Sequence, residues 1–103
     1  LAVTTTFRAP SLPNVPTMAE AGVPGFDIST WYAFFGPAKM DPKVVDKLNQ
    51  AFVKAIKSKP MAERFDKMGA VEKAGTPAQL NDFVKAELVK YKEIVKTSGA
   101  KVD

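Results

Sequence analysis

Thr4, Thr5 and Thr6, followed by Arg8, are the first residues in the chain with chemistry to offer. A threonine hydroxyl donates one hydrogen bond, and a guanidinium presents a planar fork of donors that matches a carboxylate. The threonines close the apolar, β-branched run Leu1–Thr6, which reads as a short strand. In open α/β sheets, ligands sit beyond the carboxyl ends of strands. Thr5, Thr6 and Arg8 are therefore the candidate ligand-binding residues, suited to a small carboxylate. The structural alternative is strand propensity for the threonines and an ion pair or backbone contact for Arg8.

The remaining polar candidates read as helix punctuation. Thr17 and Glu20 have the spacing of a capping box, which explains both without acid–base work. Asp41 precedes Pro42 and reads as an N-cap. No second carboxylate is placed to make a catalytic pair. The chain has no histidine and no cysteine. That excludes histidine bases, thiolate nucleophiles, Ser-His-Asp triads and His/Cys metal sites within it. No catalytic residue, metal ligand or cofactor is expected, and the protein reads as a non-enzyme.

Charge and length narrow the class further. The 103 residues suffice for one small domain, and 46% hydrophobic with 25% charged residues is ordinary globular composition. No apolar run approaches the roughly 20 residues of a membrane span. The net charge of +4 comes entirely from residues 41–103, where lysines are scattered among acids. That pattern is a solvated helix surface. A nucleic-acid interface would want a one-sided stripe rich in arginine, and only Arg8 and Arg64 are present.

The elements that must position these residues follow from local signals. Pro10, Pro13 and Pro16 remove backbone donors and hold the chain extended after the first strand. Thr17–Glu20 allows one helical turn, stopped by Gly22 and Pro24. Phe26–Phe35 is the second strand candidate, apolar on both faces after Trp31. Its aromatics Trp31, Tyr32, Phe34 and Phe35 are suited to stacking on a ligand or to packing; Phe26, Trp31 and Phe34 are assigned to structural packing along this segment. Three helices follow. One starts at Pro42 with Val44, Leu48, Phe52 and Ile56 in a stripe. A second opens at Pro60 and closes at Gly69. "AVEKAG" then reads as a brief strand. The last helix starts at Thr76–Gln79 and ends at Gly99, with Leu80, Phe83, Val84, Leu88, Tyr91, Ile94 and Val95 on one face.

The run "RAPSLPNVPTMAEAGVPGFDISTWYAFFGPAKMDPKVVDKLNQAF" resembles the C-terminal third of Bug-family receptors. These are the TctC-like extracytoplasmic solute-binding proteins of tripartite tricarboxylate transporters. The resemblance rests on Arg8, Pro10, Leu12, Pro13, Val15, Pro16, Thr17, Glu20, Gly22, Pro24, Gly25, Phe26, Trp31, Pro37 and the "KLN" at 47–49. Phe34 and Phe35 depart from the smaller or aliphatic residues more usual there. The later "TP" helix start and lysine-rich last helix extend it over essentially the whole chain.

The resemblance implies an α/β fold: a fragment of a type II periplasmic-binding-protein-like two-domain architecture, with two to three strands, three main helices and a one-turn helix. Residues 1–26 would end one lobe, 27–36 would cross the hinge, and 37–103 would form the helical part of the other lobe. The implied function is capture of a small organic acid in the periplasm for membrane subunits of the transporter. The resemblance puts most carboxylate contacts in loops that precede this chain. The alternative is a stand-alone structural or interaction module with no ligand. Two strands without sheet neighbours also suggest an isolated chain that is homo-oligomeric or domain-swapped.

Overall fold

The computed structural model describes residues 1–101. Three helices carry the second half: α1 (Pro42–Ile56), α2 (Lys59–Met68) and α3 (Pro77–Ser98). Each begins and ends where its local chemistry dictates. Asp41 accepts from the Lys43 N–H at 2.8 Å, with Pro42 at the first helical position. Thr76 and Gln79 form a reciprocal capping box at α3, each side chain accepting the other's backbone N–H at 3.2 and 2.9 Å. Gly69 and Gly99 close α2 and α3 at φ 64° and 68°, conformations that a side chain disfavours. The α1–α2 joint is tight because Ser58 turns its hydroxyl back onto Ala55 O at 2.6 Å.

The first half is held by turns. Val3 and Thr17 form a parallel bridge, with Val3 N–H donating to Pro16 O and Met18 N–H to Val3 O. The expected helical turn after Thr17 forms: Ala21 N–H donates to Thr17 O at 3.0 Å, and Gly22 leaves it at φ 101°.

Both long strand expectations need correction. Leu1–Thr6 contributes only the Val3 bridge and bends over residues 4–7. The cause is local: the Thr5 hydroxyl donates to Phe7 O at 2.6 Å and curls the chain. Phe26–Phe35 has no ladder among the described residues; its backbone tie to another segment is Ile28 N–H to Thr4 O at 2.9 Å. "AVEKAG" likewise forms no strand. A strand exists only through a neighbour, and here the chain supplies one bridge. The fold is helical with extended segments, which agrees with the α/β expectation in outline and not in strand count.

The helices pack loosely. Among the described residues no apolar side chain is fully buried. The surface is 8835 Å², where a folded monomer of this size exposes about 5,700 Å². The radius of gyration is 16.6 Å against about 13 Å for a compact chain of this length. The face expected for α3 holds at Leu80, Val84 and Ile94 and needs correction at Leu88, which points outward, while Glu87 and Lys90 take inner positions.

Candidate functional site

Arg8 sits at the mouth of the proline-rich loop and closes it. Its Nε donates to Glu20 Oε2 at 3.0 Å and its Nη2 to Oε1 at 3.1 Å, the fork geometry that matches a carboxylate. Its Nη1 reaches Pro13 O at 3.0 Å. Glu20 is itself fixed, because Oε2 accepts the Thr17 N–H at 2.8 Å while Thr17 Oγ1 accepts the Glu20 N–H. One carboxylate thus caps a helical turn and pins an arginine. The hydrogen bond from Arg8, then that from the Thr17 backbone, hold the Glu20 carboxyl below its ordinary range. The Glu20 carboxylate in turn raises the Arg8 guanidinium.

Counting donors separates the three candidate ligand residues. A guanidinium has five N–H groups. The Arg8 bonds above leave one on each terminal nitrogen without a partner among the described residues. The single donor of Thr5 goes to Phe7 O. Thr6 is exposed, and no bond of its hydroxyl occurs among the described residues. Thr6 and the outer edge of Arg8 can donate to an anion; Thr5 in this conformation can only accept.

The second group, Phe26, Trp31 and Phe34, lies along the helices. Phe26 and Ile28 border an apolar groove of about 410 Å³ with Ile94 and Thr97 near the end of α3. Lys90 Nζ donates to Asp27 O at 2.9 Å. Trp31 meets Phe83 edge-to-face, ring centroids 5.1 Å apart. The connector therefore runs antiparallel to α3, from its C-terminal end towards its start. The lengths agree: the four residues from 27 to 31 extend about 13 Å, and the seven from 90 back to 83 rise about 10 Å. Phe34 then stacks on Phe52 of α1 at 4.6 Å and 11°. Tyr32, Phe34 and Phe35 remain largely exposed.

The two groups meet at one peptide. Asp27 contributes its carbonyl to Lys90, and Ile28 contributes its N–H to Thr4 O. Sequence reasoning missed the residues that join elements. Lys90 pairs with Glu87 at 2.5 Å, and Glu87 is one of two polar residues buried among those described. Hydrogen bonding to Glu87 raises the Lys90 ammonium. Asn49 of α1 donates to Gly75 O at 2.8 Å, just before the α3 cap. The available signals were an asparagine inside an apolar helix stripe and an acid–lysine pair at i,i+3.

The match to known proteins covers the same span. Residues 1–100 match the model of the tripartite tricarboxylate transporter family receptors. Protein BugT of Bordetella pertussis is 37% identical over 102 residues, which are 99% of this chain and 31% of that protein. A UPF0065 protein from the tcbD-tcbE intergenic region of a Pseudomonas species is 38% identical over 96 residues, 29% of its length. The solved structure of the periplasmic binding protein BugD superposes with a TM-score of 0.80 at 31% identity, covering 97% of this chain and 34% of that one. The chain spans about a third of the length of these relatives.

Proposed function

The chain belongs to the tripartite tricarboxylate transporter family of receptors, and from that premise we propose that it is part of a periplasmic receptor that captures a small organic acid and delivers it to membrane subunits of the transporter. The family match over residues 1–100 carries this reading. The names of the relatives, receptor and binding protein, support a binding role over an enzymatic one. No helix among the described residues is long and apolar enough to cross a membrane.

In this reading residues 1–26 finish one lobe, 27–36 cross the hinge, and the helices belong to the other lobe. Hinge-bending receptors close two rigid bodies around a solute through a few connecting residues. The Arg8–Glu20 clasp supports rigidity on one side of the crossing. Thr6 and the free edge of Arg8 supply donors to a carboxylate, and Thr5 positions its neighbours. Because Glu20 already compensates the charge on Arg8, this segment contributes an auxiliary contact rather than the main anion site.

Calorimetric titration of the intact receptor with dicarboxylates, tricarboxylates and acidic amino acids tests the function. Saturable binding of one acid, weakened by Thr6→Val and unaffected by its amide analogue, is the expected result. Absence of heat across all three classes would remove the organic-acid reading and favour a ligand-free module.

A further inference from the structure

We infer that Lys90, braced by Glu87, is the positioning residue that fixes the Asp27–Ile28 peptide as the pivot of the connector. The inference rests on the receptor reading, in which residues 27–36 cross between lobes. Its observation is that a single peptide group is held from both sides. The carbonyl accepts from Lys90 on α3 at 2.9 Å, and the N–H donates to Thr4 O at 2.9 Å.

Three features make this peptide the fixed point rather than the aromatic contacts further along. Hydrogen bonds are directional, and two bonds on opposite edges fix the orientation of a peptide plane. Trp31 on Phe83 and Phe34 on Phe52 are apolar contacts, which tolerate sliding and leave their residues partly or largely exposed. The bond from Lys90 is charge-assisted and addressed to backbone, so it holds whatever side chain stands at 27.

Glu87 explains why the lysine stays in place. Phe83, Glu87 and Lys90 follow at i, i+4 and i+7 on one face of α3, the face along which the connector runs. Glu87 is 9% exposed and sits 2.5 Å from Lys90 Nζ. A lysine with four rotatable methylenes is otherwise a poor anchor. Thr4, on the far side of the peptide, adjoins the Thr5–Arg8 candidate segment. A solute contact made there is thus two bonds from α3.

Hydrogen–deuterium exchange of the full-length protein tests the pivot without any ligand. Lys90→Met removes the donor but leaves Glu87 buried and unpaired, so the double variant Glu87→Gln/Lys90→Met is measured beside it. Both are expected to speed exchange of the Ile28 amide, the connector N–H that is bonded to another segment, roughly tenfold or more when resolved by NMR, the weight of a hydrogen bond to a charged group. Amides of α1 should keep their protection, and Lys90→Arg should restore most of the protection of Ile28. Unchanged exchange of the Ile28 amide in the double variant, or equal acceleration in all three helices, overturns the pivot. Titration of the unmodified protein with organic acids is run in parallel: silence there removes the receptor reading, whereas unchanged exchange removes only the pivot.

Discussion

Arg8 and Glu20 stand twelve positions apart and meet through two near-parallel hydrogen bonds of 3.0 and 3.1 Å. The loop between them holds three prolines, so the clasp closes a segment that is already stiff. Glu20 also caps the turn that Thr17 begins. Loop closure and turn capping therefore depend on one carboxylate.

That dependence has a pH signature. The Glu20 carboxyl is lowered from an ordinary value of 4.5 by Arg8 first and by the Thr17 backbone second. A lowered folded-state pKa contributes stability that is complete above the unfolded value and is lost as pH falls through the folded one. Glu20→Gln should therefore melt below the parent at pH 7, by an amount that stays constant down to the ordinary carboxylate range. Below it the two melting curves should converge. Thermal melts of both proteins from pH 7 downwards check this; a gap that does not narrow at all below the ordinary carboxylate range would assign the effect to something other than ionisation.

In the proposed receptor reading, Trp31→Ala should destabilise without changing which solute is bound. Truncating a fully buried tryptophan costs about 3–5 kcal/mol. Trp31 is only half-buried and loses one edge-to-face partner, Phe83. A cost of about 2 kcal/mol follows. Denaturant titration measures the loss, and competition among acids measures selectivity. An unchanged melt with altered selectivity would move Trp31 to the solute.

The helices were legible because their ends are written locally. Asp41 with Pro42, Thr76 with Gln79, and the glycines at 69 and 99 act within a few residues of themselves. The Arg8 ion pair was readable as a type of contact, but its partner was not, since proline geometry decides where position 20 arrives. Strands failed for the converse reason. Phe26–Phe35 has the right residues, yet a ladder needs a second strand at the right distance, and that information is not in the segment. The α3 face was misjudged at Leu88 because the choice of inner face depends on what arrives there. The arriving group is the Asp27 carbonyl, and it selects Lys90.

Lys39 offers a gain rather than a loss. It sits at φ 63° in the turn before α1, and it is the non-glycine residue with positive φ among those described. A lysine there carries steric cost that glycine avoids, partly offset by the greater freedom of glycine in the unfolded chain. Lys39→Gly should raise stability by about 0.5–1 kcal/mol. A lower melting temperature would mean that the lysine side chain contributes a compensating contact.

Asn49→Ala should loosen the start of α3. The Asn49 side chain is the hydrogen bond from α1 to Gly75 O, one residue before the Thr76 cap. Losing it costs about 1 kcal/mol. The first turn of α3 should show faster amide exchange while α2 is unaffected, because α2 begins from its own joint at Ser58. Equal changes in α2 and α3 would indicate general loosening instead.

The last prediction concerns the 103-residue chain on its own. Its surface exceeds that of a compact monomer by about 3,100 Å². Part of the excess is apolar and contiguous in sequence: Tyr32 is 93% exposed, Phe34 72% and Phe35 65%. Val44, Leu48 and Phe52 on α1 are also left partly open beside the Phe34 stack. Apolar patches of a few hundred Å² already promote association, and this one adjoins the ladder-free segment 26–36. Isolated, the chain should self-associate at tens of micromolar, with a concentration-dependent melt, and should bind organic acids no more tightly than millimolar. Replacing Phe34 and Phe35 by serine should shift sedimentation towards monomer more than replacing the outward Leu88 and Val89, which lie away from that segment in sequence. A chain that sediments as a monomer and melts sharply at every concentration would show that the open face needs no cover.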